Sequence, residues 1–213
     1  MRLTRDFFAR PAQEVARELL GATLVRSFPD GRQATGRIVE VEAYIGPKDR
    51  ACHAFRGRRT ARTEVIFGPP GRAYVFLVYG MHHCLNVVTD PAGFPAAVLL
   101  RAIAPLDLDD RAGEALLPRA ERLGARGPGR LCRALGIDRS FNGADFCAQE
   151  EDGRAEAAGP EHSKPTGLHF EAGTPPARIR ATARIGVDYA GSWARRRLRF
   201  HEADNPWVSG PAI

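Results

Sequence analysis

The chain has 213 residues, 44% hydrophobic and 26% charged, with a formal charge of +6. That length can bury a sizeable core, and the composition excludes a disordered, collagen-like or disulfide-framework protein. The excess cation points to an acidic partner, nucleic acid first; yet Lys48 and Lys164 are the only lysines, so GC-rich coding accounts for the arginines equally well.

Pro11 opens an apolar-periodic run, Ala12, Val15, Ala16, Leu19 and Leu20, that predicts a helix ended by Gly21. Strands are expected next over 22–26 and 35–44. In the segment Ile38-Val39-Glu40-Val41-Glu42-Ala43-Tyr44, alternation places two carboxylates and a phenol on one face and apolar side chains on the other. Residues 46–72, rich in Gly, Pro and Arg, predict a long surface loop with short helical pieces.

Further strands are expected over 73–78, 84–89 and 97–103, the first two joined at Tyr79-Gly80-Met81-His82. Residues 109–125 and 129–136 predict helices, the second introduced by Gly127-Pro128-Gly129. The acidic, aperiodic stretch 149–166 predicts a mobile loop, and a last β segment is expected around 179–187 and 198–201. No internal repeat or domain boundary breaks this order, so the expected fold is one α+β domain over 1–213. Cys52, Cys84, Cys132 and Cys147 lack CxxC spacing, and no secretory or membrane-spanning run is visible. A cytoplasmic protein with reduced thiols is the expectation.

Glu42 is the preferred general base: a carboxylate on a rigid strand, beside aromatics, can hold and deprotonate a water near a cationic transition state. Glu40 and Glu42 paired with arginines on a solvated face remains the competing reading. Tyr44, His53, Tyr74, Phe76 and Tyr79 can line a pocket for a flat, electron-poor ring, or fill a sheet core, the latter favoured for Tyr74. Tyr79-Gly80-Met81 at a hairpin tip has the form of a wedge that fills the gap left by an extruded nucleotide. Gly129 and Arg130 could offer a phosphate backbone N–H groups and a cation, or make a simple loop-to-helix turn. Cys52, His53, His82, His83 and Cys84 supply zinc-type ligands without zinc-type spacing. No nucleotide-cofactor motif is visible, and no cofactor is expected.

In this order the segments RDFFARPAQEVARELLG, GRIVEVEAYIGPKDRACHAF, GRAYVFLVYGMHHCLNVV, AVLLRAIAPL, GPGRLCRALGI and RIGVDYAGSWARRRLRF, with NPWVS near the end, resemble the alkyladenine (3-methyladenine) DNA glycosylase family. The resemblance implies a curved antiparallel sheet flanked by helices in a monofunctional base-excision enzyme. Its partner would be double-stranded DNA carrying damaged purines, approached as a monomer and without a membrane. It further implies that Glu42 activates the attacking water, with Arg101 helping to hold the water or a phosphate nearby. Tyr44, His53 and Phe76 would form the base pocket, Asn86 would crowd the amino group of normal guanine, and Tyr79 would be the wedge with Met81 beside it. The family commonly has tyrosine where this chain has Phe76, which keeps the stacking ring but carries no hydroxyl. The resemblance leaves two rivals: a non-catalytic nucleic-acid-binding protein and a zinc-dependent hydrolase using Cys52, His53, His82 and Cys84.

Overall fold

The computed structural model of the chain describes residues 1–108, 125–147 and 167–210. Apart from Ala125, the helix expected over 109–125 lies outside them, as does the loop expected over 149–166.

Two short helices, α1 (Arg5–Phe8) and α2 (Ala12–Leu19), precede β1 (Thr23–Ser27) and the long β2 (Gln33–Tyr44). Then come β3 (Ala73–Val78), β4 (His82–Thr89), β5 (Ala96–Leu108) and helix α3 (Pro128–Ala134). The strands β6 (Leu168–Glu171), β7 (Ile179–Thr182) and β8 (Arg199–Glu202) complete the described set. They form one antiparallel sheet in the order β3-β4-β5-β2-β1-β6, with the β7–β8 pair joined to it through β2. The α+β architecture expected from the sequence is the one found.

The site is organised by β2. One edge pairs with β5 along most of its length; the other is shared, first by β1 at residues 33–37 and then by β8 at residues 40–42. The β2–β5 register slips between Ile38 and Glu40, and again between Glu40 and Val41, where Arg101 on β5 has no Cα partner. Two compensating bulges bend the strand pair and re-aim side chains. Ile38, Val41 and Ala43 therefore stay in the main core while Glu40, Glu42 and Tyr44 share the other side.

That core lies between the sheet and the helices. The α2 stripe Val15, Ala16 and Leu19 meets it, with Phe8, Phe146 and Phe170 among the largest fully buried side chains. Burying one such side chain contributes roughly 1.5–3 kcal/mol. The helix starts without a side-chain cap of its own; the Asp90 carboxylate accepts from the Ala12 N–H at 3.0 Å instead. After α2 the chain turns sharply at Gly21, whose φ of +92° and closeness to the Thr174 carbonyl leave no room for a side chain.

Three expectations change. Residues 46–72 are not simply a surface loop: short 3₁₀ turns at Phe55–Gly57 and Glu64–Phe67 occur, but Asp49, Ala51, Cys52, Ala54 and Ile66 are buried. The segment forms a wall, because its apolar residues meet Tyr74, Val88 and Val187. The β segment expected to reach Val187 ends at Thr182, since Arg184 turns inward to pair with Asp49. Strand β6 was not anticipated; it extends the sheet beside β1.

Candidate active site

The carboxylates of Glu40 and Glu42 have no solvent exposure at all, so the competing reading of a solvated acidic face does not hold. They do pair with arginines, but inside the protein. Glu40 Oε1 accepts from Arg101 Nε at 2.8 Å and from Arg199 Nε at 2.6 Å, and Glu40 Oε2 accepts from the Ser209 backbone N–H at 2.6 Å. Burial pushes the Glu40 carboxyl up, but the Arg101 charge, the Ser209 hydrogen bonds and the Arg199 charge together hold it below its ordinary range.

Glu42 has a different set of partners. Its Oε1 accepts from the Ile185 backbone N–H at 2.8 Å and lies 3.1 Å from Arg101 Nη1, and its Oε2 accepts from the Tyr44 hydroxyl at 2.9 Å. Burial, the Glu42 charge and this hydrogen bond all raise the Tyr44 phenol well above its usual value, so Tyr44 is a hydrogen-bond donor here, not a base. Behind them Arg184 and Asp49 form a fully buried bidentate pair at 2.5 and 2.8 Å. The Arg184 guanidinium also lies 4.7 Å from the centre of the Tyr44 ring. This pair fixes the loop that carries the Ile185 N–H.

Above this layer is a cavity of about 550 Å³. Tyr44, Arg101 and Ile185, the three partners of Glu42, all line it, so the carboxylate lies directly beneath its floor. Its aromatic wall is His53, Tyr74 and Phe76, with His53 edge-on to Phe76 at 4.6 Å and Phe76 5.3 Å from Tyr74. The His53 imidazole is pushed down to about 4 by burial and by the nearby Arg62 charge, so it is neutral at physiological pH. Asn86 also lines the cavity, its side-chain amide donating to the Tyr74 carbonyl at 2.9 Å.

At the cavity mouth is the β3–β4 turn. Tyr79 and Gly80 have φ of +51° and +69°, and the Met81 N–H donates back to the Val78 carbonyl at 3.1 Å. Positive φ at both central positions matches the right-handed twist of the two strands. The tip does not fold back under residues 46–72: Tyr79 is 85% exposed and Met81 71% exposed. Gly129 and Arg130 lie in the first turn of α3 beside this hairpin. A Cβ on Gly129 would stand only 3.0 Å from the His82 Cβ, so its small size has a packing reason, while Arg130 is exposed.

The zinc-type residues do not come together. His53 Nδ1 is engaged by the Tyr74 hydroxyl at 2.9 Å, His82 is an exposed residue, and burial pushes the Cys52 and Cys84 thiols up to about 11. Among the described residues no group of three or more His, Cys, Asp or Glu is placed to hold a metal ion. Nor, among them, is any helix long and apolar enough to cross a membrane.

Sequence reasoning does not single out Asp49, Arg184, Ile185, Arg199 and Ser209, although all five stand inside the blocks that carry the resemblance. Nothing local in the sequence marks Asp49 and Arg184 as a pair, because they stand 135 positions apart.

A family model described as methylpurine-DNA glycosylase matches residues 6–206. A Methanocella arvoryzae protein with a provisional 3-methyladenine DNA glycosylase name is 50% identical over 97% of this chain and 95% of its own. A provisionally named 3-methyladenine DNA glycosylase of Myxococcus xanthus is 48% identical over 98% of this chain and 94% of its own. The human DNA-3-methyladenine glycosylase is 42% identical over 98% of this chain and 68% of its own.

Proposed function

Because the chain belongs to the methylpurine-DNA glycosylase family, we propose that this DNA-repair hydrolase of N-glycosyl bonds flips damaged purines out of duplex DNA and cuts each from its sugar with a water activated by Glu42. Alkylated purines are the principal substrates and deaminated purines a second class. The product is an abasic site.

The observation that carries this reading is Glu42, a fully buried carboxylate whose three partners line an aromatic cavity. The extruded base stacks among Tyr44, His53 and Phe76, each base–aromatic contact contributing about 1–3 kcal/mol. The sugar then stands over the floor. A water admitted between the Tyr44 hydroxyl and Arg101 gives its proton to Glu42 as its oxygen bonds to the anomeric carbon. The glycosidic electron pair leaves with the base, and the developing oxocarbenium charge faces the carboxylate. A purine alkylated at N3 or N7 departs as a neutral base without further help.

Selection has two parts. Lesions pair and stack weakly, so their extrusion costs less. Asn86 then crowds the exocyclic amino group of normal guanine. Tyr79 enters the vacated stack with Met81 beside it, and Arg130 with the Gly129 turn faces the phosphates. The enzyme acts as a monomer.

The test compares wild type with Glu42→Gln on duplexes carrying one methylated purine or hypoxanthine. The variant should bind the lesion duplex but release base at least about 100-fold more slowly. Wild-type excision by Glu42→Gln would reject the base assignment, and excision absent from wild type itself would favour a non-catalytic binding protein.

A further inference from the structure

We infer that Glu40 is a positioning residue for base excision: it anchors Arg101 against Glu42 and takes up half of that arginine's charge, leaving Glu42 able to accept a proton from water. This inference rests on Glu42 being the base.

Arg101 is held at each of its nitrogens. Nε donates to Glu40 at 2.8 Å, Nη2 donates to Ser209 Oγ at 3.2 Å, and Nη1 faces Glu42 at 3.1 Å. The contact with Glu40 is shorter than the contact with Glu42. Ser209 ties the arrangement together, since its backbone N–H donates to Glu40 and its carbonyl accepts from Arg199 Nη2 at 2.7 Å. A regular ladder running on from Ile38 and Ile103 would set Glu40 opposite Arg101; the two bulges offset them so that Glu40 faces Ala102, and the two side chains still meet.

The cluster contains two carboxylates and two guanidiniums, all at most 8% exposed, so it is neutral as a whole. Without Glu40, both Arg101 and Arg199 would bear on Glu42 alone. A carboxylate so strongly paired is a poor proton acceptor. Stability is a weak reason for the arrangement, since buried ion clusters can often be replaced by apolar residues with no loss of stability. Glu40 is not among the cavity-lining residues, and its path to the reaction runs through Arg101. The same partners hold the Glu40 carboxyl below its ordinary range.

The experiment measures single-turnover excision of 7-methylguanine from a duplex across acidic and neutral pH, together with lesion-duplex affinity. It compares wild type, Glu40→Gln, Glu40→Asp, Ser209→Ala and Glu42→Gln. Glu40→Gln should slow excision about 100-fold with affinity nearly unchanged, and should move the acid limb of the pH–rate profile to lower pH. Glu40→Asp, which keeps the charge, should keep that limb in place. Ser209→Ala removes only the hydroxyl that holds Arg101 Nη2, and should slow excision about 5-fold without moving the limb. A folded Glu40→Gln with wild-type rate and profile overturns the inference, as does a fall in rate matched by a fall in affinity. If Glu40→Gln does not fold, a wild-type rate in Ser209→Ala overturns it instead. Normal excision by Glu42→Gln is a separate failure, of the base assignment itself.

Discussion

The Nδ1 atom of His53 lies 2.9 Å from the hydroxyl oxygen of Tyr74, and this contact is made by a neutral imidazole. Burial, with the Arg62 charge second, lowers the histidine from 6.5 to about 4. Between those values the unfolded chain binds a proton that the folded chain does not. The stability this contributes is complete above pH 6.5 and is lost as the pH falls toward 4. The shift corresponds to about 3 kcal/mol. Urea unfolding measured stepwise over this window should show a steeper acid loss for wild type than for His53→Gln, which has nothing to titrate there. Parallel curves would mean that His53 is charged in the folded protein.

Asp49 and Arg184 have no exposed side-chain surface, and Asp49 also accepts from the backbone N–H groups of Ile45 and Ala51. Replacing one partner leaves the other charge buried alone, at a cost of about 3–5 kcal/mol. Asp49→Asn should therefore lower the unfolding free energy by that amount. It should also slow excision, because the Ile185 N–H on Glu42 is carried by the residue next to Arg184. A loss of stability under about 1 kcal/mol would show that the pair is relaxed by water.

Most of the fold was legible from local pattern. The period-two runs gave β2, β3, β4 and β5, and Pro11 with Gly21 bracketed α2. Strand β6 was not, because four residues carry too short a period to detect. In the site, alternation alone put Glu40, Glu42 and Tyr44 together. What alternation could not convey was burial, since Arg199 lies 159 positions from Glu40 and Ser209 lies 169 from it. The separate duties of the two carboxylates depend on those distant partners and on a bulge that no residue type announces.

Phe76 meets His53 edge-on, lies tilted against Tyr74 and receives the Arg62 guanidinium 5.3 Å from its ring centre. Phe76→Tyr keeps both ring faces and adds one hydroxyl at a half-buried edge. Stability should change by less than about 1 kcal/mol, and excision of a methylated purine should stay within about threefold. Single-turnover rates on methylated purine and on hypoxanthine, measured side by side, separate the ring from the hydroxyl. A tenfold change on the methylated purine would mean that stacking is not what holds the base.

Tyr79 pairs an 85% exposed aromatic ring with a backbone φ of +51°. Neither feature helps the folded state: the ring buries little, and a side chain in the left-handed region costs about 1–2 kcal/mol. Tyr79→Gly should consequently be more stable than Tyr79→Ala by about 1 kcal/mol, with the extra backbone freedom of glycine in the unfolded chain reducing the gap. Both variants lack the wedge, so both should bind a lesion duplex more weakly than wild type. Binding to single strands carrying the same lesion should change less, because no gap in a stack then needs filling. Urea unfolding and paired duplex and single-strand titrations measure the two effects separately. Equal losses on duplex and single strand would reject the wedge, whereas a Tyr79→Gly variant less stable than Tyr79→Ala would show that the turn does not strain its aromatic residue.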